Sequence, residues 1–176
     1  MSEADWISEA LEHNEEGLVR YVSRLMRDED IAREVVQEAF MKLCRADPAT
    51  VGDHVREWLY TVCRNAARDR QRQHRDRPQE TLGEGVRRPQ GTSAGGESPS
   101  RVVERRLQVG RLLSLLEELN EDQQEVVRLK FQDELSYQEI ARITGHSVSN
   151  VGYLIHVAVK KIRTRLAEVR EGSYGA

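Results

Sequence analysis

Within this 176-residue chain, the segment Leu135–Val151 most narrows the possible folds, because its spacing is that of two helices joined by a tight turn. Ser136 and Glu139 have the spacing of a capping box, in which two side chains satisfy free backbone N–H groups where a helix begins. Gly145 stands where a left-handed residue would end that helix, and the small Ala141 lets two helices cross closely. The segment therefore predicts a helix-turn-helix, whose second helix can enter a DNA major groove.

The composition and the first residues of the chain allow a prediction of its cellular location. Hydrophobic residues make up 38% of the sequence and charged residues 32%, which favours a soluble, charge-rich helical protein. No apolar run approaches the roughly 20 residues that a membrane-spanning helix needs. The first residues, Met-Ser-Glu-Ala-Asp, lack the basic start and apolar core of a signal peptide. We therefore expect a cytoplasmic protein without a membrane span.

Residue types that bind metals or perform catalysis show no recognisable pattern. Cys44 and Cys63 do not form a C-x-x-C pair, and both fall at apolar helical positions, which predicts two reduced core residues. The histidines are scattered without the spacing of metal ligands. The sequence has no Gly-rich phosphate loop and no recognisable nucleophile–base pair. We therefore predict no metal site, no cofactor and no enzymatic activity.

A segment from residue 76 to about residue 101 divides the chain into two units. It is rich in Gly, Pro, Ser and charge and has no apolar period, so we predict a flexible linker. The units on either side, residues 1–75 and 102–170, both show apolar residues at helical spacing. The predicted fold class is therefore all-α, with two small helical domains. The predicted helices cover residues 5–27, 28–43, 55–73, 102–119 and 121–131, followed by the two of the helix-turn-helix, with a loop at residues 47–52.

Positive charge is concentrated locally although the net charge is −3. Four arginines recur along the third predicted helix at steps of four, four and three: Arg64, Arg68, Arg72 and Arg75. We expect them on one face, opposite the apolar face that includes Trp58. A charged stripe is usually a solvated face, but few acids interrupt this one, which favours contact with nucleic acid. Two weak DNA-binding units on a tether gain avidity, so the sequence predicts two DNA elements at a roughly fixed separation.

Four segments of the chain resemble sigma factors of the extracytoplasmic-function (ECF) type, in the sigma-70 family. Asp30–Leu43 is similar to the family's D-A-E-D-L-V-Q-E-V-F-L-K-L segment, and Trp58–Arg70 to its W-L-Y-R-I-A-R-N-x-x-x-D segment. Leu119–Val127 resembles L-P-x-x-x-R-E-V, and Leu135–Gly145 resembles L-S-Y-x-E-I-A-x-x-x-G. These matches follow the family's order and cover nearly all of the chain except the linker.

The resemblance implies a function that spacing alone does not. It implies a sigma-two-like domain at residues 1–75 and a sigma-four-like helix-turn-helix domain at residues 102–170. Such a protein directs core RNA polymerase to promoters, assists promoter opening and has no active site of its own. The partners implied are the β′ and β subunits of core polymerase, promoter DNA and, as a candidate, an anti-sigma factor.

The resemblance also assigns residues to the two contacts of the first domain. The candidates for contact with β′ are Asp30, Glu34, Gln37, Glu38 and Met41. The candidates for the −10 element are Arg64, Asn65, Arg68, Arg72 and Arg75. Asn65 matches the position near a base flipped from the non-template strand, and an Asn can donate to and accept from a base edge. Residues 47–54 match the loop that forms the pocket for that base, whereas Trp58 is expected to pack in the core.

The second helix of the helix-turn-helix departs from the family pattern. The family continues T-V-K-S-R-L-H-R-A-R, but Asn150–Val159 lacks the lysine and the three arginines, so fewer phosphate contacts are expected. Gly152 inside this helix costs about 1 kcal/mol relative to Ala. The apolar run over residues 154–159 is wider than the motif needs and could meet an anti-sigma factor or a polymerase element. The candidates for the −35 element are Ser147, Ser149, Asn150, Tyr153, His156 and Lys160.

An alternative interpretation is a stand-alone helix-turn-helix regulator with an N-terminal dimerisation or sensing unit. It accounts for the segment at residues 135–151 but leaves Asp30–Leu43 and Trp58–Arg70 unexplained. A third class, an enzyme, has no support in the sequence. The promoter-specificity factor is therefore the leading hypothesis.

Overall fold

The computed structural model describes residues 3–75 and 99–172, and all regular structure in these two ranges is helical. The α-helices are α1 (Glu3–Met26), α2 (Glu29–Leu43), α3 (Pro48–Val51), α4 (Val55–Arg75), α5 (Pro99–Glu117), α6 (Glu121–Phe131), α7 (Tyr137–Thr144) and α8 (Val148–Gly172). One compact unit contains α1 to α4, and the other contains α5, α6, α8 and most of α7. The predicted all-α fold with two helical domains is confirmed.

Three long helices form the first unit. α1 packs against α2 and α4, and α2 also packs against α4. The core between them contains Leu18, Val22, Val35, Leu43, Leu59 and Tyr60, all at most 1% exposed. The rings of Tyr21 and Tyr60 lie 5.2 Å apart with an interplanar angle of 47°, a tilted arrangement that aromatic pairs favour. Asp28 fixes the start of α2, because its side chain accepts a hydrogen bond from the Ile31 N–H at 3.0 Å.

Residues 47–54, predicted in part as a loop, instead form α3 and a short 3₁₀ turn, Gly52–His54. The Asp47 side chain accepts from the Ala49 N–H at 2.9 Å, and Pro48 occupies the first turn, where a missing N–H costs nothing. Gly52 then ends α3 with φ +53°, a conformation that side chains disfavour. Because Val51 is only 3% exposed, its burial ties this turn to the first unit. The prediction of a loop at residues 47–52 was therefore wrong where Pro48–Val51 forms a short helix.

The helix-turn-helix is present where the sequence predicts it. Ser136 Oγ accepts from the Glu139 N–H at 3.2 Å, and Glu139 Oε2 accepts from the Ser136 N–H at 2.6 Å, which completes the capping box. Gly145 ends α7 in the left-handed conformation, with φ +78°. Behind the motif, a cluster of Leu116, Leu119, Val127 and Ala158, with Ile162 packed against it, joins α5, α6 and α8.

Two smaller expectations need correction. α5 begins at Pro99, so residues 99–101 belong to a helix rather than to the predicted linker; proline is favoured at a first helical position. Residues 76–98 of that linker lie outside the described residues. Cys44 is exposed because it lies just beyond the last residue of α2, so its predicted core position was wrong. Cys63 is buried, and burial raises the pKa of its thiol to about 12, which keeps it protonated.

Candidate functional site

The outer surface of α2 presents the five side chains predicted for β′ contact. Asp30, Glu34, Gln37, Glu38 and Met41 are all exposed. Their spacing of four, three, one and three residues places them along one strip of the helix, which we call the α2 strip. Met41 is 49% exposed, so the strip combines carboxylates and an amide with an accessible apolar side chain.

An arginine of α4 reaches across to this strip. Arg70 Nη2 donates to Glu38 Oε1 at 2.5 Å, and Arg70 Nη1 lies 3.6 Å from Glu34 Oε2. Arg70 Nη1 also donates to the Ile31 carbonyl at 3.4 Å. Sequence reasoning missed this contact. Arg70 and Glu38 lie 32 residues apart in sequence, so no local pattern predicts the contact.

A second strip lies on the solvent-facing side of α4. Trp58, Asn65 and Arg72 follow one another at seven-residue steps and so lie on one line along the helix, which we call the α4 strip. Asn65 and Arg72 are exposed, and Trp58 is half-buried. The expected core position of Trp58 is therefore corrected, because the buried side of α4 is centred on Leu59, Tyr60, Cys63 and Ala67.

The four predicted arginines do not share an exposed face. Arg64 is only 6% exposed, Arg68 is half-buried and Arg72 is exposed. The reason is geometric: each step of four residues turns about 40° around the helix axis, so the row moves from the core side to solvent. Arg64 lies one turn after Tyr60, on the buried side. The side chain of Arg75 lies outside the described residues.

A third strip runs along the outer side of α8. Ser149, Tyr153, His156 and Lys160 are exposed and recur at steps of four, three and four residues, and we call them the α8 strip. Tyr153 is 65% exposed, while Val151, Ile155 and Ala158 on the opposite side are buried. Ser147 caps the helix, because its Oγ accepts from the Asn150 N–H at 3.1 Å. Of the predicted −35 residues, four thus share one strip, Ser147 is the cap before the helix, and Asn150 belongs to the first turn.

The turn before α8 contains a further polar contact that sequence reasoning missed. The ring of His146 lies between α6 and α8, with its Nε2 3.7 Å from Asp122 Oδ1. Its Nδ1 lies 3.3 Å from the side-chain nitrogen of Asn150. Asp122 is far from His146 in sequence, so no local pattern predicts that the two side chains meet.

Two further features, a metal site and a membrane-spanning helix, were looked for in the described residues, 3–75 and 99–172. Within these ranges no three His, Cys, Asp or Glu side chains are grouped so that they could hold a metal ion. The helices there include none with the length and apolar character that crossing a membrane requires.

Comparisons with known proteins identify both units. The family model for sigma-70 region 2 matches residues 10–77, and that for sigma-70 region 4 matches residues 110–162. The chain is 25% identical to the RNA polymerase sigma factor YlaC of Bacillus subtilis, an alignment that covers 97% of this chain and 98% of that protein. It is 27% identical to the ECF RNA polymerase sigma factor BldN of Streptomyces coelicolor, over 94% of this chain and 62% of that protein.

A solved structure shares the fold. It is the sigma factor RpoE of Bartonella quintana, crystallised in complex with the anti-sigma factor NepR. The TM-score is 0.64 at 22% sequence identity, and the match covers 93% of this chain and 97% of that one. The likeness therefore extends over both helical units.

Proposed function

Because this chain belongs to the sigma-70 family as an RNA polymerase sigma factor of the ECF type, we propose which of its surfaces contact polymerase and promoter. The first unit binds core polymerase and the −10 element, and the second unit binds the −35 element. One observation carries this division: the region 2 and region 4 matches fall on separate compact units, in the family's order. A sigma factor selects promoters by binding and performs no catalytic step.

The α2 strip is the proposed contact with the β′ subunit. Its members are exposed and aligned, as a surface that docks on one partner element requires. An exposed Met such as Met41 is enriched in the centres of protein interfaces, and charged groups such as Glu34 suit the polar rim. The contact of Arg70 with Glu34 and Glu38 holds part of the rim in place before polymerase binds.

The α4 strip is the proposed reader of the −10 element. Asn65 has an exposed amide that can donate and accept together, which suits recognition of the edge of a flipped base. Arg72 and the half-buried Arg68 are proposed to bind backbone phosphates. The burial of Arg64 argues against a phosphate contact by that side chain, so we leave it out of the proposed interface.

The α8 strip and the first turn of α8 are the proposed reader of the −35 element. A recognition helix contacts base edges chiefly with its N-terminal residues, which here include Ser147, Ser149 and Asn150. Tyr153 and His156 offer aromatic and polar contacts further along, and Lys160 offers a charge to phosphate. The proposed surface is thus poorer in cations than its family pattern.

Regulation by an anti-sigma factor is proposed from the fold likeness to RpoE, which was crystallised with the anti-sigma factor NepR. We also propose that the protein works in the cytoplasm, where core polymerase and promoter DNA are found. The alternative of a stand-alone regulator does not account for the region 2 match over residues 10–77.

The test is binding of the full-length chain to purified core polymerase, measured by size-exclusion chromatography and by titration. We expect a one-to-one complex, because one region 2 unit offers one α2 strip. Met41→Glu should weaken binding at least about tenfold, since it replaces the exposed apolar side chain of the strip with a charge. The control is Arg33→Ala, which removes an exposed charge of α2 outside the strip. Absence of any complex would refute the proposal.

A further inference from the structure

A short chain of polar groups connects α6 to the first turn of α8. Asp122 lies in the first turn of α6, His146 in the turn between α7 and α8, and Asn150 in the first turn of α8. The ring of His146 stands between the other two side chains. All three residues belong to the same compact unit.

The chemistry of these groups fixes which atom donates. The side-chain nitrogen of Asn150 can only donate, so its 3.3 Å contact with His146 Nδ1 is a hydrogen bond in the tautomer whose Nδ1 is unprotonated. In that tautomer the ring proton stands on Nε2, which lies 3.7 Å from Asp122 Oδ1, beyond hydrogen-bond distance but close enough for the carboxylate charge to act on it. A carboxylate on that side favours this tautomer, because its negative charge attracts the N–H.

The same contacts restrain the Asn150 amide. The hydrogen bond from its backbone N–H to Ser147 Oγ, at 3.1 Å, fixes the main chain of Asn150, and the contact of its side-chain nitrogen with the histidine ring restrains the side-chain amide. A rotation of the amide by half a turn would bring its oxygen against the lone pair of Nδ1, which is unfavourable. The amide therefore offers its oxygen as an acceptor and its remaining N–H as a donor.

We propose that His146, whose Nε2–H tautomer the nearby charge of Asp122 favours, is a positioning residue that orients Asn150 to recognise an adenine in the upstream promoter element. Adenine presents a donor, N6–H, beside an acceptor, N7, in the major groove, and a correctly oriented Asn pairs with both. The first turn of a recognition helix is where such a side chain reaches base edges. This inference rests on the proposed function of α8.

The experiment uses holoenzyme assembled from the full-length chain and core polymerase. It selects bound DNA from a pool of random-sequence duplexes, and sequencing gives the preference for each base at each position. We expect the wild-type holoenzyme to enrich adenine at one upstream position by about tenfold, the discrimination of one good amide–base pair. Asn150→Ala should abolish enrichment at that position and leave the other positions unchanged.

The variants of His146 separate positioning from a structural role. His146→Ala should reduce the adenine preference about two- to tenfold, because the amide is no longer held in one orientation. It should have no further effect at that position in the Asn150→Ala background. His146→Asn keeps an acceptor near the place of Nδ1 and should restore the preference. Asp122→Asn should reduce the adenine preference. The matched control Glu121→Gln removes a neighbouring charge of the same helix turn and should leave the adenine preference unchanged.

Two results would overturn the proposal. One is an adenine preference that is unchanged by both His146→Ala and Asp122→Asn. The other is the absence of any adenine position that depends on Asn150, with the remaining upstream sequence still selected. Failure of the wild-type chain to bind core polymerase would instead refute the proposed function, and this inference with it.

Discussion

Asn65 is the side chain on which the proposed reading of the −10 element depends most. It is exposed on the α4 strip and makes none of the core contacts of that helix. An exposed polar residue contributes little to stability, so its replacement is expected to change the free energy of unfolding by less than about 0.5 kcal/mol. Asn65 is therefore a position where function can be changed without disturbing the fold.

Asn65→Ala is expected to slow open-complex formation about tenfold, because a base contact worth roughly 1–3 kcal/mol is removed. Binding to core polymerase should be unchanged, since the α2 strip is untouched. The measurements are permanganate reactivity of the melted promoter and titration with core polymerase. Gln73→Ala, exposed on the same helix, is the control. Loss of polymerase binding or of folding in Asn65→Ala would show that the assignment is wrong.

Arg70 has a different role from the arginines around it, because it joins two helices. Glu34 and Glu38 are 69% and 51% exposed at their side chains, so each ion pair alone contributes little. The Arg70 side chain, however, is only 23% exposed and also donates to the Ile31 carbonyl. Its buried stem adds packing to these polar contacts.

Arg70→Ala is therefore expected to lower the free energy of unfolding by about 1 kcal/mol. Arg72→Ala is the matched control, because Arg72 is 76% exposed and only approaches Asp69 of its own helix, at 3.5 Å. That variant should differ from wild type by less than about 0.5 kcal/mol. Urea unfolding followed by helical circular dichroism measures both. Equal stability of the two variants would mean that the bridge between α2 and α4 contributes nothing.

At the level of elements, the helix-turn-helix illustrates how local chemistry sets boundaries. The capping box at Ser136 and the left-handed Gly145 determine where α7 begins and ends. No atom beyond its chain neighbours lies within 4 Å of a Cβ built on Gly145, so crowding does not explain the need for glycine there. The requirement is conformational, since φ is +78°.

A pair of glycine substitutions tests this explanation. Gly145→Ala is expected to destabilise the second unit by about 1–2 kcal/mol, the cost of a left-handed side chain. Gly110→Ala should instead stabilise it by up to about 1 kcal/mol, because Gly110 lies within α5 and a Cβ there also meets nothing within 4 Å. Thermal unfolding of both variants gives the comparison. A loss of stability in both would point to packing rather than backbone conformation.

How far the sequence predicts each element depends on whether its signals are local. The capping box of α7 and the helical spacing of α1, α2 and α4 depend on neighbouring residues, and both were predicted correctly. The buried side of α4 was not, because the expected core residue Trp58 is half-buried. The arginine row was misjudged, because its slow rotation around α4 matters only once Tyr60 and Ala67 fix which side is buried. Contacts between residues far apart in sequence, such as Arg70 with Glu38 or His146 with Asp122, have no local signature.

For the whole molecule, the proposed division of function between the two units rests on the two family matches, which fall on separate units. Region 2 supplies the α2 and α4 strips, and region 4 supplies the α8 strip. A net charge of −3 is compatible with DNA binding, because cations such as Arg72 and Lys160 lie on the proposed DNA surfaces. Each unit alone offers few phosphate contacts, so promoter affinity should depend on both units acting together on one polymerase.

Reconstituted transcription tests the central claim most directly. Purified core polymerase, with and without the full-length chain, is given random genomic fragments, and the 5′ ends of the transcripts are sequenced. We expect starts that appear only with the chain and that share two upstream elements at a fixed spacing. Replacement of either element should abolish them. Transcription that is the same with and without the chain would contradict the account.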